Sequence, residues 1–468
     1  ALSLERSETA GWRDRTGART EGGDLTLGHS FTEKLRLDVN VNALHTEYEM
    51  PGGLAKAAYK ADPDDAATLF DEAEETYLGV SPTVTAQLGD YGEFILDFGY
   101  IKKDMETDMV SWGVWTDLKL ETLSVAPRVV LTVPVVDLAN RLTLGLDWTR
   151  DSIDLERYFD AARTVYGGGA DITKDTLAVY VNDAINLTDT VVLSAGARWA
   201  RSTFEVEEEN GAGVTIDDDD DTHREEAYHL GLTWNATEKT RLFVKYEHFF
   251  RFPFTDEQIA YNGWGSGFNK DLIPETGDSY EIGIEQQLST NVTIAATLFR
   301  MEIEDEIADD WGSPSFNSNM DETVHQGLEL SVSTEPRSWL SLYGNYTWLN
   351  AEFDAGANSG NDIPLVPEHK IALGAEVRPL DALRVSVDGT YTSTMYEGGD
   401  TANALDRMDN YIVVDLGVAY TAEIEDVIWE IFAGIDNLFD EEYTDYVFFG
   451  GYYAAPGRTY KGGVKVSF

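Results

Sequence analysis

Polar and apolar residues alternate with a period of two along almost the whole chain. Leu383-Arg384-Val385-Ser386-Val387-Asp388-Gly389-Thr390-Tyr391 presents one apolar and one polar face, and KLRLDVNV (34–41) and LSLYGNYTW (340–348) do the same. Successive strand side chains point to opposite faces, so each such stretch predicts a β-strand with one greasy and one wet surface. Helical periodicity is almost absent. The one exception, AATLFDEAEE (66–75), predicts a short helix lying over one end of the fold.

The spacers between these stretches are ordered. Counting back from Phe468, short connections at 421–423, 379–381, 335–337, 289–291, 237–239 and 187–189 alternate with long ones rich in Gly, Asp and Asn near 48–74, 157–172, 207–223, 251–276, 305–321, 351–367, 396–408 and 439–455. A soluble sandwich has no reason to keep its long loops at one end. A transmembrane barrel does, with short turns on the periplasmic side and long loops outside. Closure also satisfies the backbone polar groups within the sheet, as lipid requires.

Taking roughly ten residues per bilayer crossing, we count about 20 strands. They run from 1–8, 22–30, 34–47, 75–87, 92–104 and 119–133 to 409–422, 425–438 and 456–468. The fold class is therefore all-β, a transmembrane antiparallel β-barrel with long extracellular loops and short periplasmic turns. Aromatics make up 12% of the chain, and Trp148, Trp199, Tyr346, Trp348 and Tyr391 near strand ends suit interfacial girdles rather than a sandwich core. Val464, Val466 and Phe468 share one face of the last stretch, and Lys461, Lys465 and Ser467 the other, so the tail reads as a closing strand. No segment reaches the roughly 18 consecutive apolar residues of a membrane-spanning helix. The start, ALSLERSETAGWRD, lacks the basic and apolar regions of a signal peptide.

Charge excludes one partner class. With 85 acidic and 34 basic residues among 468, the formal net charge is −51, which repels nucleic acid. The acidity reads either as a solubilising, salt-adapted surface or as a field that gathers cations. Cysteine is absent, which suits a chain crossing an oxidising compartment and removes Cys–His chemistry. No Gly-x-Ser-x-Gly elbow, His-Glu-x-x-His pair or phosphate-cradling loop occurs, so an enzyme is not expected.

Three groups of residues carry a family resemblance. The tail has Asn437-Leu438-Phe439-Asp440, Tyr443, Pro456-Gly457-Arg458-Thr459-Tyr460 and Phe468. The middle has Phe250-Arg251-Phe252-Pro253, Glu257, Asn269, Leu272, Pro274-Glu275-Thr276 and Tyr280-Glu281-Ile282-Gly283. The beginning has RSETAGWRDRTG and, after a strand, Met50-Pro51-Gly52-Gly53-Leu54. In this order, from the first residues to the last, they resemble TonB-dependent outer-membrane receptors.

The resemblance implies a barrel of 22 strands, of which the 20 present are the third to the last, and a separate plug domain within the lumen. Residues 1–468 are then the barrel domain of a longer protein, C-terminal to a plug and a first hairpin that this sequence does not contain. It further implies Gram-negative outer-membrane localisation, contact with lipid and lipopolysaccharide, and a TonB energy-transducing complex acting through the plug. Phe468 resembles the signal read by the barrel-assembly machinery. Haem receptors of the family carry a motif related to Phe250-Arg251-Phe252-Pro253 together with Asn-Pro-Asn-Leu. Here Asn269-Lys270-Asp271-Leu272 replaces the latter, which counts against haem.

The candidate binding residues lie in the long connections. Tyr261, Trp264, Phe268, Trp311, Tyr446, Tyr452 and Tyr453, with Phe316, Phe448 and Phe449, offer large rigid contact areas for cargo, or pack loop on loop. Arg251 is a cargo candidate or a residue that shapes the loop entry. Arg198 and Arg384 face the lumen, to grip an anionic chelate or to pair with carboxylates. Asp217, Asp218, Asp219, Asp220 and Asp221, after Glu207-Glu208-Glu209, read as a solvated loop tip or as oxygen ligands for structural Ca²⁺. No other cofactor is expected. The functional expectation is active import of a small-molecule metal chelate, an iron–siderophore complex or else cobalamin. The reading from another class is a plugless diffusion channel or a structural barrel in a surface assembly.

Overall fold

Why these residues form strands is visible in the paired register. The computed structural model describes the whole chain except residues 256, 259–268, 270, 311–315, 426 and 468, and only the backbone of 309, 310 and 316. Twenty strands form one antiparallel sheet in which each pairs with the next along the chain, from Leu2–Thr9 and Ala18–Thr32 to Val427–Asp436 and Thr459–Ser467. Each apolar residue of the alternating pattern thereby stacks beside apolar partners on one face. Leu144, Val179, Leu230, Leu232, Ile282, Leu298, Leu330 and Leu373 all lie exposed on that face, where lipid covers them. Tyr228, Tyr246 and Tyr280 follow one another across three strands, with ring centroids 6.1 and 5.2 Å apart, as a girdle bordering the apolar band. No helix among the described residues is long and apolar enough to cross a membrane.

Among the described residues the first strand pairs only with the second and the last only with its predecessor, so the sheet has two free edges. Nine short turns lie at one end. Three of them, at 338–339, at 381–382 and after Ile424, fall slightly beyond the expected positions because the pairs Arg337↔Leu340, Leu380↔Leu383 and Ile424↔Val427 extend the ladders.

At the other end three expectations fail. The connections expected at 157–172 and 207–223 are mostly strand: Asn140–Tyr158 meets Tyr166–Asn186, and Val191–Asn210 meets Thr215–Thr237, through tight tips at 159–165 and 211–214. Asp217 to Asp221 therefore lie on a strand, opposite Phe204–Glu208, and not in a loop tip. Strand pairing and the burial of Phe204 and Val206 hold this acidic stretch in place despite its poor β-propensity. Residues 66–75 are not helical. Among the described residues the one α-helix is Lys56–Ala61, while Glu72 onward joins a strand paired with Leu35–Glu49.

On the inner face several aromatic rings lie over glycines of the adjacent strand: Tyr180 over Gly145, Phe243 over Gly283, Tyr343 over Gly374 and Phe432 over Gly463. A Cβ at any of these glycines would run into the ring.

Candidate functional site

The polar face of the sheet lines the lumen, and several of its charges are paired with one another. Arg198 lies 2.5 Å from Asp147, Lys245 lies 2.5 Å from Glu247 and 3.6 Å from Glu281, and Arg384 lies 3.7 Å from Glu430. Arg128 pairs with Asp97, which also accepts a hydrogen bond from Thr83 Oγ1 at 2.6 Å. Of the two readings for Arg198 and Arg384, the geometry places both beside carboxylates of the wall. A recess of about 280 Å³ opens beside Arg198, lined also by Asp147, Tyr180, Asn182, His229 and Glu247.

Above the lumen, the strand Thr240–Arg251 ends at Arg251, which braces the loop that follows. Its guanidinium donates to Glu275 at 2.8 and 3.1 Å and to Glu257 at 2.8 and 3.0 Å. Glu257 Oε2 also accepts the Phe254 N–H at 2.6 Å. The chain then turns inward. Phe252 and Pro253 are buried, Phe252 stacks on His223 at 6.4 Å, and Lys174 Nζ donates to the Pro253 carbonyl at 2.7 Å. The residues that resemble the family in this stretch, Arg251, Glu257 and Glu275, thus form one ion-pair network. Arg251 shapes the loop entry and has its donors occupied by the protein itself.

A second motif group does the same work at the last long loop. Asn437 is buried at positive φ. Its side chain donates to the carbonyls of Glu441 and Pro456 at 2.9 and 3.2 Å and accepts the Glu441 N–H at 2.8 Å. Asp440 accepts the Arg458 N–H at 2.8 Å, and Arg458 Nε donates to the Leu438 carbonyl at 2.9 Å. The third group is joined across the chain, because Arg13 donates to the Gly52 carbonyl at 2.6 Å. Burial holds the Arg13 guanidinium below its ordinary pKa, and neighbouring Tyr453, Asp65 and Asp64 oppose that shift.

These braces extend into a continuous crown of loops. Loop 50–71 pairs with loop 437–458 through Leu54↔Tyr452 and Ala55↔Gly451, completing a small sheet of Leu54–Ala55, Thr444–Phe448 and Gly451–Ala454. Loop 437–458 meets loop 393–410 at Gly398↔Phe448, and loop 393–410 meets loop 354–368 through Arg407–Asp362 at 2.6 Å and Asn403–Asp362. The Asp354 N–H donates to the Glu322 carbonyl at 2.9 Å. Asn319 and Asn317 tie loop 305–321 to Ile273 and Glu257. The crown therefore passes over the free edges of the sheet.

The candidate aromatics separate by environment. Tyr452 is only 6% exposed, packed with Met395, Met408 and Val447. Tyr446 and Tyr453, on the other face of the small sheet, are 42% and 39% exposed with ring centroids 5.3 Å apart, and Phe448 stacks on Tyr446 at 5.7 Å. Tyr261, Trp264, Phe268, Trp311 and Phe468 lie outside the described residues. In the acidic stretch, Asp217, Asp219 and Asp221 are half-buried on the side of His223, while Asp218 and Asp220 are exposed on the other. Among the described residues no three His, Asp or Glu side chains converge as a metal site. Sequence reasoning missed Lys56 and Glu397, which flank Tyr452: the pairing of loops far apart in the chain has no local signature.

Against known proteins, residues 3–438 match the family model described as TonB dependent receptor-like, beta-barrel. The chain is 24% identical to the catecholate siderophore receptor Fiu of Escherichia coli over 62% of its length and 41% of that protein's. It is 25% identical to the probable TonB-dependent siderophore receptor PiuA of Acinetobacter baumannii, over 92% of its length and 58% of that protein's. It thus spans about half the length of these curated relatives. Among solved structures, the unliganded ferric citrate transporter FecA superposes with a TM-score of 0.86 at 18% identity, covering 100% of this chain and 73% of that one. The outward apolar band and the antiparallel sheet fit this match, and the chain belongs to the TonB dependent receptor-like β-barrel family, as an outer-membrane barrel of Gram-negative type.

Proposed function

We propose that this chain forms the barrel of a TonB-dependent transporter that takes up an iron–siderophore complex across the outer membrane, without catalysing a reaction. The observation that carries this reading is the crown. It places exposed aromatics, Tyr446 and Tyr453 foremost, around the mouth of a lumen whose wall cations Arg198 and Lys245 are paired with carboxylates. Arg251 and Tyr452 are assigned to the framework of the mouth, not to cargo. The siderophore receptors among the relatives favour an iron chelate over cobalamin.

The same reading includes a plug domain and a first hairpin, whose strands would lie against the free edges of Leu2–Thr9 and Thr459–Ser467, and a TonB complex acting on the plug. The two free edges and the greater length of the relatives support it. The test uses the full-length protein in planar bilayers and in iron-starved cells. Saturable, TonB-dependent uptake of ferric siderophore with negligible resting conductance is the expected result. A large stable conductance without saturable uptake would replace it with the diffusion-channel reading.

A further inference from the structure

Three loops from three separate hairpins meet in one small polar trio, in which Glu397 and Tyr452 are buried and Lys56 is half-exposed. The Tyr452 hydroxyl donates to Glu397, whose side chain is almost wholly buried, and Lys56 Nζ approaches the same carboxylate at 3.8 Å. Lys56 also lies over the Tyr452 ring, 5.5 Å from its centroid, and Tyr59 stacks on that ring at 5.3 Å. Beneath them Met395, Met408 and the fully buried Val447 form an apolar floor, with Leu365 beside it. A buried carboxylate is costly unless paired and hydrogen-bonded, and a purely apolar contact would join these loops as well. What the trio adds is direction: the Tyr452 hydroxyl must point at Glu397 from the face that Lys56 covers.

That arrangement determines which way the small sheet faces. Side chains alternate along Thr444–Phe448 and Gly451–Ala454, so once Val447 and Tyr452 point to the floor, Tyr446, Phe448 and Tyr453 point away from it. Gly53 completes the seat, because a Cβ there would approach Tyr453 and Gly451 at about 3 Å.

We propose that Lys56, Glu397 and Tyr452 are positioning residues of a three-loop platform that presents the rings of Tyr446, Phe448 and Tyr453 to planar aryl groups of the cargo. This rests on the transporter reading above. The trio touches no cargo itself. It acts by holding loop 437–458 against loops 50–71 and 393–410.

The test uses the full-length protein in lipid nanodiscs, with ferric 2,3-dihydroxybenzoate as probe. Two measurements are made on wild type, Glu397→Ala, Tyr452→Phe and Tyr453→Ala: hydrogen exchange across Thr444–Ala454, and probe affinity. Each is repeated with a disulfide joining Ala55→Cys to Gly451→Cys, which are facing residues in a chain without other cysteines. Glu397→Ala is expected to raise exchange across the platform and weaken the probe roughly tenfold, with the disulfide restoring both. Tyr452→Phe should do the same to a smaller degree. Tyr453→Ala should weaken the probe without raising exchange, and the disulfide should not rescue it. Unchanged exchange in Glu397→Ala, or raised exchange with unchanged affinity, would overturn the platform. Should wild type ignore the probe, the aryl-cargo assignment falls, and exchange with its rescue alone decides whether the trio positions the loops.

Discussion

The barrel has a tall side and a low side. Six consecutive strands, from Gly92–Met109 to Thr215–Thr237, have 18 to 23 residues, whereas the ten from Thr240–Arg251 to Thr459–Ser467 have 9 to 16. At roughly 3.3 Å per residue and a tilt near 40°, a strand of about 20 residues stands about 50 Å high, twice an apolar band of about 25 Å. The tall side carries its backbone ladder well beyond the lipid and needs only the tight tips at 110–113, 159–165 and 211–214. On the low side the ladder stops sooner, and side chains must secure long loops. All three motif groups do so at loops outside the tall side: Arg251 with Glu257 and Glu275, Asn437 with Pro456, Arg13 with Gly52. Where backbone pairing holds the structure, many residues serve, and five consecutive aspartates are accepted. Where it does not, particular residues are required.

The difference can be broken from either side. Phe204→Ala removes the centre of an apolar cluster with Leu118, Ile153, Leu155, Ile172 and Val206 on the tall side. It should cost about 3–5 kcal/mol in denaturant unfolding from micelles, with hydrogen exchange rising across the tall strands but not in loop 437–458. Arg251→Ala leaves Glu257 and Glu275 without their cation and should cost about 2 kcal/mol. It should open residues 252–258 to limited proteolysis while the tall strands stay protected.

Two smaller changes sharpen the contrast. Asp218 faces Glu207 directly across the ladder, so Asp218→Lys should stabilise the tall side by about 0.5 kcal/mol, an effect that fades in high salt. Asp305, at the foot of a low-side loop, has its pKa raised by burial and by neighbouring Glu304 and Asp321. The folded chain therefore holds that proton more tightly than the unfolded one, which favours the fold in acid and loses the benefit as pH rises. Asp305→Asn should accordingly gain a few tenths of a kcal/mol at pH 7 and nothing below about pH 3. Paired melting curves at the two pH values measure it.

The fold was legible because alternation and spacer length are local properties. Alternation located every one of the long sheet's strands, and erred at 157–172 and 207–223 because runs rich in Gly and Asp read as loop. In STFEVEEE (202–209) the alternation of Phe204 and Val206 with acids was itself the evidence for strand. The mouth was only half legible. Arg251, Glu257 and Glu275 stood out as motif residues, but that they satisfy one another follows from a register between neighbouring strands. That Tyr452 is buried while Tyr453 is exposed depends on Lys56, almost 400 residues away in the chain, and no periodicity reports it.

The rings laid over glycines have a consequence for the passage itself. Tyr180, Phe243, Tyr343 and Phe432 each rest in the space that a missing side chain leaves on the next strand. An aromatic standing upright on a barrel's inner wall would take several ångströms from the clear width at its level. Laid flat, it adds apolar lining at little expense of calibre. The bore is thus set by the backbone and the bulk of the wall is stored sideways, and a single methyl group added at Gly283 or Gly374 would act on the opening like a turned screw, tipping a whole ring into the path of whatever descends.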